Sequence, residues 1–316
     1  MIADLLVQAV QMVLVLALAP GLAGLVRKGK ARLLRRRGAP VVQPYRDLLR
    51  LLHKEVVLAQ NASWLFRATP YLVLATTWVA AALVPTFATG LIFSGAADLL
   101  VIIALLGSAR FFLALAGMDV GTAFGGIGSS REVMIGSLAE PAVLMVVFTL
   151  GLIAGSTQLS TIAGTLASEG IGLRASLGLG LAALIIVAIA ENSRIPVDNP
   201  ATHLELTMVH EAMVLEYSGR HLAVLELAAW LKLVLYLSLI GAVFLPWSLA
   251  PAGAGFTAMA VGAGAWGGKL VLGGLLLAFL ETTLAKMRLF RVPDFLGAGL
   301  MLAFLATLLL FLARSL

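Results

Sequence analysis

The sequence predicts an all-α polytopic membrane protein, with about eight transmembrane helices and a large polar loop between the fifth and the sixth. Three observations carry that reading. Of 316 residues, 61% are apolar and only 12% are charged, a balance that soluble domains of this length do not normally show. Hydrophobic runs of about 20 residues recur along the chain, each long enough to cross a bilayer as a helix. The ionisable residues that remain are gathered in a few stretches, above all Glu191 to Arg220, and such concentrations in a membrane protein mark places where it works.

The runs fall at roughly 5–26, 69–89, 97–117, 134–155, 174–190, 223–246, 267–286 and 294–313, within one integral membrane domain spanning 1–316. Charge sets their direction. Eleven of the 22 Lys and Arg residues lie between Arg27 and Arg67, directly after the first segment. Placing that loop in the cytoplasm puts 17 basic residues inside and leaves three, Arg174, Lys269 and Arg314, outside. Both termini then face out, across the inner membrane of a prokaryote. The first segment has no basic leader and is too long for a signal-peptide core, so it reads as a retained anchor. The net charge of +6 belongs to this topology and does not point to nucleic acid. With no cysteine in the chain, disulfides, Cys-ligated clusters and Cys-based zinc sites are excluded within it.

After the basic run Arg27–Arg37, Pro44 opens a new pattern. Tyr45, Leu48, Leu49, Leu52 and Val56 recur at helical spacing while Arg46, Asp47, Arg50 and Lys54 take other faces, which predicts an amphipathic helix on the membrane surface. This loop anchors the topology, and it also offers a docking surface to a soluble partner.

Segment three carries Arg110 and segment four Glu140. Each lies roughly 10 Å from the inner end of its run at helical rise. A charge at that depth costs ~2.5–3.5 kcal/mol or more, so the two are expected to pair, the alternative being an Arg110 that snorkels to the interface. Between them, Asp119–Glu132 reads as a loop. Its glycines suggest a phosphate loop, but no strand precedes them and no Gly-Lys-Ser/Thr occurs. Small residues there instead suit close packing beside another polar loop. The outer loop 156–173 sets Leu159, Ile162, Ala163 and Leu166 on one face of a short surface helix.

In the central loop, Pro196 and Pro200 break the fifth helix. Beyond them Glu205 and Glu216 share a helical face, as do His203 and His210. His210-Glu211 resembles the start of a zinc-protease motif, but Val214 stands where the second histidine belongs. No Ser-His-Asp context for a hydrolase is present. Segment six adds Glu226 near its inner end and Lys232 roughly 15 Å in at helical rise, and segment seven adds Glu281. Acids at such depths mark proton or ion pathways.

Four stretches together resemble a known family: GAP…QPYRDLLRLLHKE (Gly38 to Glu55), AENSRIPVDNP (Ala190 to Pro200), LEYSG (Leu215 to Gly219) and E…AKMRLFRVP (Glu281 to Pro293). The chain resembles the membrane subunit shared by respiratory complex I, where it is subunit 1, and the membrane-bound group 4 NiFe hydrogenases. The wording ENSRIPVDNPATHLELTMVHEAMVLEYSG is closest to formate hydrogenlyase and hydrogenase-4 type subunits. The resemblance implies a membrane anchor and coupling subunit of a multi-subunit oxidoreductase that carries no catalytic residue, metal or redox cofactor itself. The NiFe centre and iron–sulfur clusters are expected in partners: hydrogenase-like large and small subunits, an iron–sulfur subunit and antiporter-like membrane subunits. It implies a docking surface for the soluble arm at Gln43, Pro44, Asp47, Lys54, Glu55, Arg194, Pro196, Asp198 and Tyr217. It implies a proton or sodium pathway through Glu140, Glu191, Glu205, Glu216 and Glu226. Arg110, Lys232 and Glu281 join that pathway on the residue reading alone. Two rivals stay open: a quinone-chamber subunit of a complex I-like enzyme, and a stand-alone secondary transporter, against which no internal repeat is found.

Overall fold

The computed structural model describes residues 2–168, 175–198, 208–251 and 253–315. Glu205, His203, Pro200 and Arg174 of the sequence reading lie outside them. The hydrophobic runs fold as helices because a helix satisfies its own backbone polar groups where no water can. In chain order they are α1 (Ile2–Leu33), α2 (Gln43–Leu52), α3 (Trp64–Leu83), α4 (Leu99–Asp119), α5 (Ala123–Ala154), α6 (Leu159–Ser168), α7 (Ala175–Glu191), α8 (His210–Val214), α9 (Gly219–Val243), α10 (Phe256–Thr283) and α11 (Val292–Ser315). Among the described residues the only β pairings are two isolated bridges, Ala88 with Ala250 and Asp98 with Gln158.

Six of these helices (α1, α4, α5, α9, α10 and α11) are long and apolar enough to cross a membrane. The second and fifth predicted segments are α3, which carries Arg67 and Pro70, and α7, with 17 residues. Large apolar side chains such as Phe111, Phe148 and Phe304 stay exposed on the flanks, as lipid-facing helices require. The α9 helix is the hub, the most buried of the long apolar six, and it packs against α1, α2, α3, α6, α7 and α10. The α5 helix lies among α4, α7 and α11. The four apolar residues of α6 predicted to share a face are all buried.

Several helix ends differ from the sequence expectation; α10, for one, starts at Phe256 and not 267. Helix α1 runs on to Leu33, so its 32 residues reach about 48 Å at helical rise, well beyond a hydrocarbon core of about 30 Å. Helix α5 starts at Ala123, not 134, so most of the stretch expected as a loop is helix. Thr122 caps it by accepting a hydrogen bond from the Gly125 amide. The close packing expected of its small residues is present. A Cβ at Gly125 would sit 2.0 Å from the Gly117 carbonyl oxygen of α4, and one at Gly128 would sit 2.9 Å from that of Val209.

At the end bearing the basic residues, α2 lies over α1 and α9. Tyr45 donates to the Ala17 carbonyl at 2.6 Å. The segment after α2 is stitched to the start of α9. The Ser218 hydroxyl accepts from the Val57 amide at 2.8 Å and donates to the Val57 carbonyl at 3.0 Å. Gly219 sits at φ +51°, where a Cβ would meet the Glu55 carbonyl at 2.3 Å. At the other end of α9, Lys269 of α10 donates to the carbonyl of Gly241 in its last turn, which the helix terminus leaves without an internal partner, and to those of Leu245 and Trp247 just beyond it.

Candidate functional site

Arg110 stands in mid-α4 and reaches across α5 at Gly136, where a Cβ would come within 2.0 Å of its Nη1. The bare glycine lets the guanidinium lie flat against the helix. Each of its nitrogens then faces a different acid. Nη1 donates to Glu140 Oε1 at 3.1 Å, and Nη2 donates to Glu191 Oε1. Nε lies 4.0 Å from Glu132 Oε1. From α9, Lys232 Nζ lies 2.8 Å from the second oxygen of Glu191. The Arg110–Glu140 pair expected from the sequence is therefore present, within a larger cluster drawn from α4, α5, α7 and α9. Glu132 and Glu191 are buried, while the Glu140 side chain is 47% exposed on the flank of this chain. Buried charges of this kind are tolerated only when paired.

The cluster walls a cavity of about 70 Å³ whose lining includes Arg110, Glu132, Glu191, Asn192, His210 and Lys232. That exceeds the ~10–15 Å³ one water needs, and the walls are polar enough to hold it. Asn192, Ser193 and His210 also border a second cavity of about 380 Å³, lined by Arg27, Lys30, Arg194, Glu211 and Glu226. Polar side chains thus run from the basic end of the molecule to Glu140.

A second set of ion pairs fixes the chain after α7. Glu281 of α10, buried, meets Lys30 of α1 at 2.8 Å and Arg194 at 3.5 Å. Asp198, also buried, meets Lys286 at 2.9 Å and accepts from the amides of Val209 and His210 at 3.3 and 3.4 Å. The Pro196 carbonyl accepts from the Met287 amide at 2.9 Å. These contacts tie residues 192–198 to the ends of α1 and α10.

Of the pathway residues read from the sequence, Arg110, Glu140, Glu191 and Lys232 come together. Glu226 borders the larger cavity, and Glu281 belongs to the loop-fixing set. Glu216 is exposed between α8 and α9 and lines neither cavity; the face it is predicted to share with Glu205 lies outside the described residues. Of the docking residues, Lys54 and Glu55 are exposed, and Gln43 and Asp47 are half-buried and bonded to each other at 3.1 Å. Pro44, Pro196, Asp198 and Tyr217 are buried inside the chain. Arg194 points to Glu281. Tyr217 stacks on Phe66 with ring centroids 3.9 Å apart and donates to the Phe66 carbonyl. Burial pushes its phenol above the usual tyrosine range.

Sequence reasoning missed Glu132 and Gly136. The available signal was spacing: Glu132, Gly136 and Glu140 recur every four residues and so share one helical face.

Residues 6–312 match the protein family described as NADH dehydrogenase. The chain belongs to that family. Among its relatives in the NADH dehydrogenase family, formate hydrogenlyase subunit 4 of Escherichia coli K12 is 34% identical over 94% of this chain and 95% of its own. Hydrogenase-4 component C of the same organism is 37% identical over 76% and 75%. A subunit of the NADH-quinone oxidoreductase of Paraburkholderia xenovorans is 29% identical over 68% and 63%. The same fold occurs in a chain of the membrane-bound sulfane sulfur reductase, an archaeal respiratory membrane complex. It has a TM-score of 0.80 and 18% identity, covering 97% of this chain and 99% of that one. Family membership and the apolar helices together make this a multi-pass membrane protein.

Proposed function

We propose that this chain is the membrane anchor and coupling subunit of a group 4 NiFe hydrogenase of the formate hydrogenlyase or hydrogenase-4 type. The observation that carries this reading is the pair of cavities that share Asn192, Ser193 and His210 in their walls, one at the basic end and one at the Arg110 cluster, to which Glu140 is bonded. The two relatives above 30% identity support the choice of branch. In this reading the basic end faces the cytoplasm and receives the soluble arm on α2 and the exposed segment around Lys54 and Glu55. The NiFe centre and iron–sulfur clusters reside in the soluble partners, and antiporter-like subunits lie along the membrane flank. Redox events in the arm shift residues 192–198, and the change in proton occupancy passes along the acids to drive proton or sodium movement. Mild-detergent purification of the tagged chain should recover nickel, iron and H2 turnover. Glu140→Gln and Glu191→Gln should retain H2 activity while losing coupled ion movement, and full translocation by both variants would refute the coupling role.

A quinone-reducing complex is the second reading, favoured by the 380 Å³ cavity between α1 and α9 and by the relative named for quinone. The cavity's charged lining argues against a long apolar ligand. Quinone-dependent turnover by the purified complex would reverse that preference.

A further inference from the structure

The Arg110 cluster does not balance its charge. Among the described residues it joins two cations, Arg110 and Lys232, to three carboxylates, Glu132, Glu140 and Glu191. With all of them ionised, one negative charge would lie uncompensated within a largely apolar helix bundle. An uncompensated charge in such surroundings is avoided by taking up a proton. The three acids are not equal candidates. Glu191 is met by Arg110 at one oxygen and Lys232 at the other. Glu140 accepts a direct hydrogen bond from Nη1 and is half exposed. Glu132 is buried to 7% exposure, lies 4.0 Å from the nearest guanidinium nitrogen, and accepts no hydrogen bond among the described residues. That nitrogen, Arg110 Nε, is itself buried without an acceptor, so even the cation beside Glu132 is not held as it would be by a carboxylate.

We infer that Glu132 is the proton-holding carboxyl of the cluster, a neutral acid at neutral pH that exchanges its proton with the small cavity. The groups facing it are Arg110 from α4, Glu191 from α7, His210 from α8 and Lys232 from α9. His210 borders both cavities and so stands between the basic end and Glu132. The use of this proton in coupling rests on the function proposed above. Its location on Glu132 does not.

The experiment is infrared spectroscopy of the intact purified complex in H2O and D2O, following the carbonyl stretch of protonated carboxylic acids. The wild type should show such a band at neutral pH. Glu132→Gln should abolish it and Glu132→Asp should shift its frequency, whereas Glu140→Asp and Glu191→Asp, which keep the cluster's charge count, should leave its frequency in place. A band unchanged in Glu132→Gln, or absent from the wild type, overturns the inference. Because an amide keeps the shape of a neutral acid, failure of Glu132→Gln to assemble beside an intact wild type also counts against it. Loss of the band in Glu132→Gln with ion translocation intact upholds the proton's location and defeats the coupling reading, so the two failures are told apart.

Discussion

Lys30, near the end of α1, lies 2.8 Å from the buried carboxylate of Glu281 on α10. Arg194 approaches the other oxygen at 3.5 Å, so one acid holds two helix ends and the start of the central loop. Removing it leaves two cations facing each other. Glu281→Ala should therefore destabilise the protein by about 3 kcal/mol, the lower end of the range for a broken buried pair. Lys30→Ala should cost less, since Lys30 is partly solvated and Arg194 remains. Denaturation midpoints of the two variants in detergent, measured side by side, check the order.

Gly136→Ala tests position without altering charge. The new methyl would occupy the place of Arg110 Nη1, and the flexible arginine would swing away from Glu140 and Glu132. The expected outcome is normal assembly with ion coupling reduced at least about tenfold, which is ~1.4 kcal/mol of lost interaction. Coupling equal to the wild type would mean that the flat seating of Arg110 on α5 is dispensable.

Gly219→Ala combines an unfavourable backbone angle with a Cβ only 2.3 Å from the Glu55 carbonyl. Positive φ alone costs a non-glycine residue ~1 kcal/mol or more, and the clash pushes the 54–57 segment off Ser218. Hydrogen exchange at Val57 should accelerate, and retention of soluble partners during purification should fall.

Tyr217 supplies a prediction about pH. Its folded-state phenol titrates above the unfolded value, which is about 10. The neutral form is favoured by folding, so this contribution is complete below about pH 10 and lost as pH rises towards the folded value. Tyr217→Phe should flatten the alkaline fall in stability. It should also lower stability near neutrality by about 1 kcal/mol through loss of the hydrogen bond to Phe66.

Much of this arrangement is readable from the residues alone. Segment length and hydropathy locate the helices, and the expense of burying Arg110 and Glu140 predicts that they meet. Glu132 is hidden because glycine-rich composition argues locally for a loop, whereas packing against α4 and the 208–213 segment decides for helix. The exposure of Glu216 and the burial of Asp198 and Tyr217 are hidden for a related reason. Whether a loop side chain turns inward depends on contacts from distant parts of the chain, such as Phe66 for Tyr217 and Lys286 for Asp198, which local periodicity does not encode.

The guanidinium of Arg110 is a rigid plane, and here its three nitrogens are divided among three acids. Glu132 beside Nε and Glu140 at Nη1 share that one rigid group. The buried acid and the half-exposed one therefore compete for a single cation, and deprotonating the first loosens the second. A change of charge at the cavity would in this way be felt at the flank of the protein, with no helix obliged to move.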